Sequence, residues 1–301
     1  MTIKENNIVL LSITLCWAAS YIFIKDLPPD LSSYAYLTMT TGIAAIILIA
    51  VFYKRLKKTD KKSVIQGLLL ALMMAGDLLT EKKGLQTLPS SNASFIASLN
   101  ILFVPLILLF FHQKPSRNHV AGMVIIILGL FITTDFSFQG FLNSGTLYML
   151  IGCLFMAFYT ILAADFTKKS DPLILGVLQI FFTAIIGFLL WLTEEPRTFF
   201  ALTYSKQMLS SIFILAFFTK AYAYIMLMYA EQYATAFRVT VIASTEPVVT
   251  LGLALMIPNA FGETETFYLR SLIGAVCIAI GAVVAGTDFL SRPACKGGET
   301  L

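Results

Sequence analysis

Gly84–Val104, GLQTLPSSNASFIASLNILFV, and Ala230–Thr250, AEQYATAFRVTVIASTEPVVT, look like the same segment written twice. At a fixed offset of 146, with no gap, Gln86 meets Gln232, Ile96-Ala97-Ser98 meets Ile242-Ala243-Ser244, and Asn100 meets Glu246. A six-residue insertion later, Gly122 meets Gly274 and Gly129 meets Gly281. A duplication of this kind inside an overwhelmingly apolar chain is the sequence mark of a transporter assembled from two repeats.

Composition identifies the solvent. The 301 residues are 58% hydrophobic and 13% charged, with a mean hydropathy of +0.83, against roughly 25% charged residues in an ordinary soluble domain. A soluble fold of this length has no interior large enough for that apolar surface, so a bilayer takes it up. Cys16, Cys153, Cys277 and Cys295 have neither metal-ligand nor disulfide-framework spacing, and the first three sit inside apolar runs as reduced packing residues. The first apolar run, residues 8–25, has no small-residue cleavage signature after it and reads as a membrane helix, not a removed signal peptide.

A spanning helix needs about 20 mainly apolar residues. On that measure ten spans are expected: 8–25, 33–53, 63–83, 90–111, 118–134, 145–167, 172–193, 208–230, 235–257 and 268–288. Polar breaks such as Pro28-Pro29-Asp30, the Lys54–Lys62 run and Glu194-Glu195-Pro196 separate most of them; near 230–235 the break is only Glu231-Gln232-Tyr233. The runs are far longer than the ~10-residue alternating strands of a membrane barrel, which excludes that architecture.

Lys and Arg set the orientation. With an inner N-terminus, thirteen of the twenty-one fall on inner segments: Lys4, Lys54, Arg55, Lys57, Lys58, Lys61, Lys62, Lys114, Arg117, Lys168, Lys169, Arg292 and Lys296. Lys25, Lys82, Lys83, Arg197, Lys206 and Arg270 fall on the outer side, while Lys220 and Arg238 lie within spans. Both termini are therefore expected in the cytoplasm, in a multi-pass protein of the plasma (inner) membrane. Five spans per half is odd, so two such halves insert with opposite orientation. The expected fold is all-α and integral to the membrane, ten transmembrane helices as two inverted five-helix repeats, residues 1–136 and 137–301. Inverted repeats rock against each other around a site near the midplane, which is alternating access.

The motifs resemble a known family. Cys16-Trp17-Ala18-Ala19-Ser20-Tyr21-Ile22-Phe23-Ile24-Lys25 is similar to the opening "W-small-small-x-aromatic…Lys" pattern of EamA-type members of the drug/metabolite transporter superfamily. Leu85–Val104 resembles that family's fourth-helix signature, Thr235–Leu251 repeats it, and Glu246-Pro247 matches its second-half Glu-Pro pair. Gly262-Glu263 and the helix Ser271–Gly281 extend the likeness over about residues 8–288. Three features depart from the pattern. The second span offers Thr38, Thr40 and Thr41 where the family often carries Arg. Asn100-Ile101 stands where a Glu-Pro-like pair is common, with the proline at Pro105. Asp77, Glu81, Lys82 and Lys83 occupy a stretch normally apolar or aromatic.

Ionisable groups within a span cost about 2.5–3.5 kcal/mol each on insertion scales, which makes them candidates for function or for pairing. Asp77 and Glu81, four apart, share one face of the third span as a substrate-amine or proton-coupling site; Glu81, Lys82 and Lys83 also suit an outer water boundary. Lys220, Tyr224 and Glu231 lie on one stripe, since eleven residues is close to three turns. Lys220 suits a substrate carboxylate or an ion pair with Asp77. Glu246 is followed by Pro247, which frees a backbone carbonyl beside a cavity. Arg238 suits a bidentate anion or an interfacial anchor. Asn100, the repeat partner of Glu246, and the aromatics Trp17, Tyr21, Tyr159 and Tyr222 complete the candidate substrate-binding set with the lone amide Gln179; such aromatics also pack. Gly122, Gly129, Gly274 and Gly281 read as close helix packing.

Other classes fit less well. The histidines, His112 and His119, lie in a basic loop, and no H-E-x-x-H, G-x-S-x-G or Cys/His cluster exists, so an intramembrane enzyme is a distant alternative. No channel filter is evident. No ATP-binding motif, cofactor motif or metal set is present, and the Lys54–Lys62 run is a topology signal that excludes nucleic acid as partner. The expectation is a secondary transporter, by resemblance an exporter or exchanger of a small organic metabolite such as an amino acid, with protons a candidate coupling ion and the bilayer its other partner. Organic anions or phosphorylated metabolites are the alternative substrates.

Overall fold

The computed structural model describes residues 3–110, 117–133, 143–201, 205–243, 245–258 and 264–286. His112, Lys114, Ser244, Gly262-Glu263, Arg292, Cys295 and Lys296 lie outside the described residues. In chain order the helices are α1 (Ile3–Lys25), α2 (Ser33–Leu56), α3 (Lys61–Leu85), α4 (Ser90–Ala97), α5 (Asn100–Phe110), α6 (Arg117–Thr133), α7 (Ser144–Phe166) and α8 (Pro172–Glu194). There follow α9 (Pro196–Ala201), α10 (Lys206–Ile214), a π-helical stretch Leu215–Ala223, α11 (Tyr224–Glu231), α12 (Ala236–Ala243), α13 (Glu246–Met256) and α14 (Leu269–Gly286).

Seven helical runs among the described residues are long and apolar enough to cross a membrane: α1, α2, α3, α4 with α5, α7, α8, and Lys206–Glu231. Val120–Thr133, Val241–Met256 and Leu269–Ala285 are shorter apolar stretches. Large apolar side chains face outward at helical spacing, Ile8, Leu11 and Leu15 on α1 for example, with Phe110 85% exposed. Such a surface belongs against hydrocarbon.

Helices outrun the apolar windows because they continue to their caps. Asp60 accepts from the Ser63 backbone N–H at 2.9 Å, so α3 begins two residues ahead of the expected third span. The hydrogen bonds from Ser63 hold the Asp60 carboxyl below the usual carboxylate range. Asn143, Asp171 and Ser205 cap α7, α8 and α10 in the same way. Asp171 also pairs with Arg55 at 2.8 Å, joining the end of α2 to the start of α8. The short α9 has no counterpart among the expected elements; Trp191 of α8 holds it, donating from Nε1 to Thr198 Oγ1 at 2.8 Å.

Packing between the halves is reciprocal. α3 lies on α7 and α8, and the π stretch with α11 lies correspondingly on α1 and α2. α5 meets α7 as α13 meets α1, while α2–α8 and α6–α14 pair each helix with its own counterpart. In α6–α14 the contact is glycine on glycine. A Cβ on Gly122 would strike the Gly281 carbonyl, and one on Gly129 would come within 2.9 Å of the Gly274 carbonyl. Moving forward along α6 therefore moves backward along α14. The sequence makes these two helices duplicates, so counterparts run antiparallel.

Candidate functional site

The first copy of the repeated Ile-Ala-Ser ends a helix: α4 stops at Ala97 and α5 begins at Asn100. In the second half α12 is described to Ala243 and α13 begins at Glu246, after a turn at Thr245. A spanning helix interrupted at depth leaves carbonyls that need donors or a water-lined cavity. One donor is Cys153 of α7, whose thiol reaches the Ile96 carbonyl at 3.2 Å. Beside the break is a cavity of about 80 Å³. α1 contributes Trp17, Ser20 and Tyr21 to its wall; α3 contributes Asp77, Leu78 and Glu81; the α4–α5 break contributes Ala97, Ser98 and Asn100. Met149, Gly152, Cys153, Met156 and Thr160 come from α7, Lys220 and Tyr224 from the π stretch and α11, and Val239, Ala243 and Glu246 from α12 and α13.

Charge is concentrated there. Asp77 and Glu81 stand one turn apart on α3, and Glu246 opposes them at the first position of α13. Glu246 faces the Tyr21 hydroxyl across the boundary between the repeats, within electrostatic reach of it. Lys220 is the cation of the lining, 2% exposed, with Glu81 and Asp77 as its opposing charges. Its ammonium rides over the rings of Tyr36 and Tyr224, 5.8 and 5.7 Å from their centroids. Trp17 leans on Tyr224 with ring centroids 5.7 Å apart. The buried Asn100 Oδ1 has no hydrogen-bond partner among the described residues, which leaves an acceptor for a ligand donor.

Trp17, Tyr21, Asp77, Glu81, Asn100, Lys220 and Glu246 thus meet in one place. Tyr159 stands just outside the lining, edge-on to Tyr224 at 5.8 Å, with Gln179 buried beside it. Tyr222 turns away and shares a 2.9 Å hydrogen bond with Ser12. Arg238 donates from Nη2 to Asn7 Oδ1 at 2.7 Å. Glu81 separates from the lysines that follow it: Lys82 points to the Ile24 carbonyl at 3.5 Å, and Lys83 lies over Tyr34 and Tyr148. Sequence reasoning missed the α7 wall and Tyr36, which carry no charge to mark them. Among the described residues no group of three or more His, Cys, Asp or Glu is placed to hold a metal.

A second recess, about 360 Å³, opens at the end of the bundle where α1 finishes and α4 begins. A clasp between the halves stands there. Glu265 Oε1 accepts from the Ser90 N–H at 2.7 Å, and its other oxygen takes the Ser91 hydroxyl at 2.5 Å. Lys25 donates to the Leu88 carbonyl at 2.7 Å beside it. No sequence motif marked Glu265, which lies in an unrepeated loop.

A family model described as the EamA-like transporter family matches the chain twice, over residues 6–135 and 143–287. No curated protein matches the chain. A solved structure described as "Crystal structure of protein" is similar, with a TM-score of 0.70 and 16% identity over 93% of this chain and 97% of that one. At that identity the likeness concerns the fold.

Proposed function

The chain belongs to the EamA-like transporter family, and from that premise we propose that it is a secondary transporter carrying a small zwitterionic metabolite, an amino acid foremost, outward through the central cavity by alternating access. It is a multi-pass membrane protein. We read it as ten spans in two inverted repeats, residues 1–136 and 137–301, in the plasma membrane with both termini cytoplasmic; the antiparallel α6–α14 pair supports the inversion.

One observation carries the substrate class: three carboxyls, Asp77, Glu81 and Glu246, share a lining with Lys220 and with aromatic faces. A free ammonium is matched by the acids and the aromatic rings, a carboxylate by Lys220, and the neutral body by Trp17, Met149 and Met156. Organic anions and phosphorylated metabolites are the weaker reading, because the guanidinium they need, Arg238, lies outside the lining against Asn7. The two walls come from opposite repeats, so a tilt of one against the other opens the site to either face.

The test is efflux. Purified protein is reconstituted in liposomes loaded with amino acids and phosphorylated metabolites, and what leaves is measured with and without a pH gradient. Release of one or a few amino acids is expected. Release confined to anions replaces the substrate class with the weaker reading.

A further inference from the structure

Away from the cavity lining lies a second polar cluster. It comprises Asn6 on α1, Tyr159 on α7, Gln179 on α8 and Glu231 at the end of α11, each at most 1% exposed. Both Glu231 oxygens, both amide atoms of Asn6 and Gln179, and the Tyr159 hydroxyl lack hydrogen-bond partners among the described residues. α11 packs on α1, α7 and α8, the helices that carry the other three. The Gln179 amide lies against the Tyr159 hydroxyl without closing a bond of ordinary geometry, and the Glu231 carboxyl is within electrostatic reach of that hydroxyl. Two turns, about 10 Å, separate Glu231 from Tyr224. The α1 stripe of half-buried Trp17 and buried Ile13, Leu10 and Asn6 leads away from the same Trp17–Tyr224 contact.

Among the described residues none forms an ion pair with Glu231. Lys168, in the loop after α7, is the cation it feels. Arg238 on α12 is engaged with Asn7. Lys220, Asp77 and Glu81 belong to the cavity, beyond the Tyr159–Tyr224 contact. A bare carboxylate is the most costly occupant of such a place. A carboxylic acid suits it, since two amides and a phenol can accept its proton and donate to its carbonyl.

We propose that Glu231 is a proton-binding site separate from the substrate cavity, with Tyr159 as the positioning hydroxyl between the two. The carboxylate takes up one proton from water at the loop end of α11 and returns it when the repeats change their packing. Coupling of that proton to transport rests on the transporter reading; the protonation does not.

Infrared difference spectra of the full-length protein in lipid, titrated in H2O and D2O without substrate, test it. A carboxylic C=O band present at neutral pH, moving down in D2O, is expected. Glu231→Gln should remove it and Tyr159→Phe should shift it. A carboxyl spectrum identical in both variants throughout the titration overturns the proposal. So does a band that follows sodium concentration at fixed pH. If Glu231→Gln does not fold, wild type against Tyr159→Phe decides by the same shift. No substrate enters the cell, so a silent efflux assay and a silent spectrum are separate failures.

Discussion

Glu246 and Glu81 approach the cavity from opposite repeats, and each substitution tests a different wall. Replacing either with Gln preserves shape and removes the charge, which for a charged hydrogen bond corresponds to about 1.5–3 kcal/mol, or about 10- to 100-fold in affinity. Glu246→Gln and Glu81→Gln are each expected to lower amino-acid efflux by that order, with insertion and size-exclusion profile unchanged. Normal efflux by both removes the acids from the mechanism. Asp77 and Glu81 were legible as a pair because two carboxyls at helical spacing inside an apolar run are costly to insert unless they face a cavity, a counterion or water. Cys153 was not, since a thiol in an apolar helix reads as packing until the broken α4 beside it is seen.

The π stretch decides where Lys220 points. A π turn accommodates an extra residue and shifts the phase of the helix around it. Lys220 is buried in it and lines the cavity, while Tyr222, two residues on, is exposed on the other side of the helix. Deleting lipid-facing Phe218 should restore α-helical phase, turn Lys220 from the cavity by roughly 100°, and abolish efflux while the protein still inserts; retained efflux denies the stretch its role. The α6–α14 crossing is the structural counterpart. Gly122→Leu pushes carbon into the Gly281 carbonyl and Ala285, and about 1–3 kcal/mol of destabilisation should appear as a lower thermal midpoint. Gly42→Ala, whose Cβ meets nothing within 4 Å, should not lower it. Hydropathy located the helices but not their ends, which polar caps determine. The break between α4 and α5 at Ser98 and Leu99 left no trace in hydropathy, which averages across an interruption of two residues.

At the scale of the molecule, reciprocal packing of counterpart helices implies two arrangements of similar energy, each the image of the other. The Glu265 clasp lies on the side we assign to the exterior, and it binds a loop of the second half to the first turn of α4. Opening that end requires its release. The odd span count expected for each half is what points to an inversion, and the antiparallel α6–α14 pair supports it, whereas the clasp depends on a loop with no periodicity to read. The most direct test is efflux by a Ser91→Cys/Glu265→Cys variant in a background without native cysteines, with and without a short, cleavable thiol cross-linker. Alternating access through this cavity predicts efflux that the same amino acid outside accelerates, that cross-linking stops, and that cleaving the linker restores. Efflux indifferent both to external substrate and to the cross-link would contradict alternating access through this cavity.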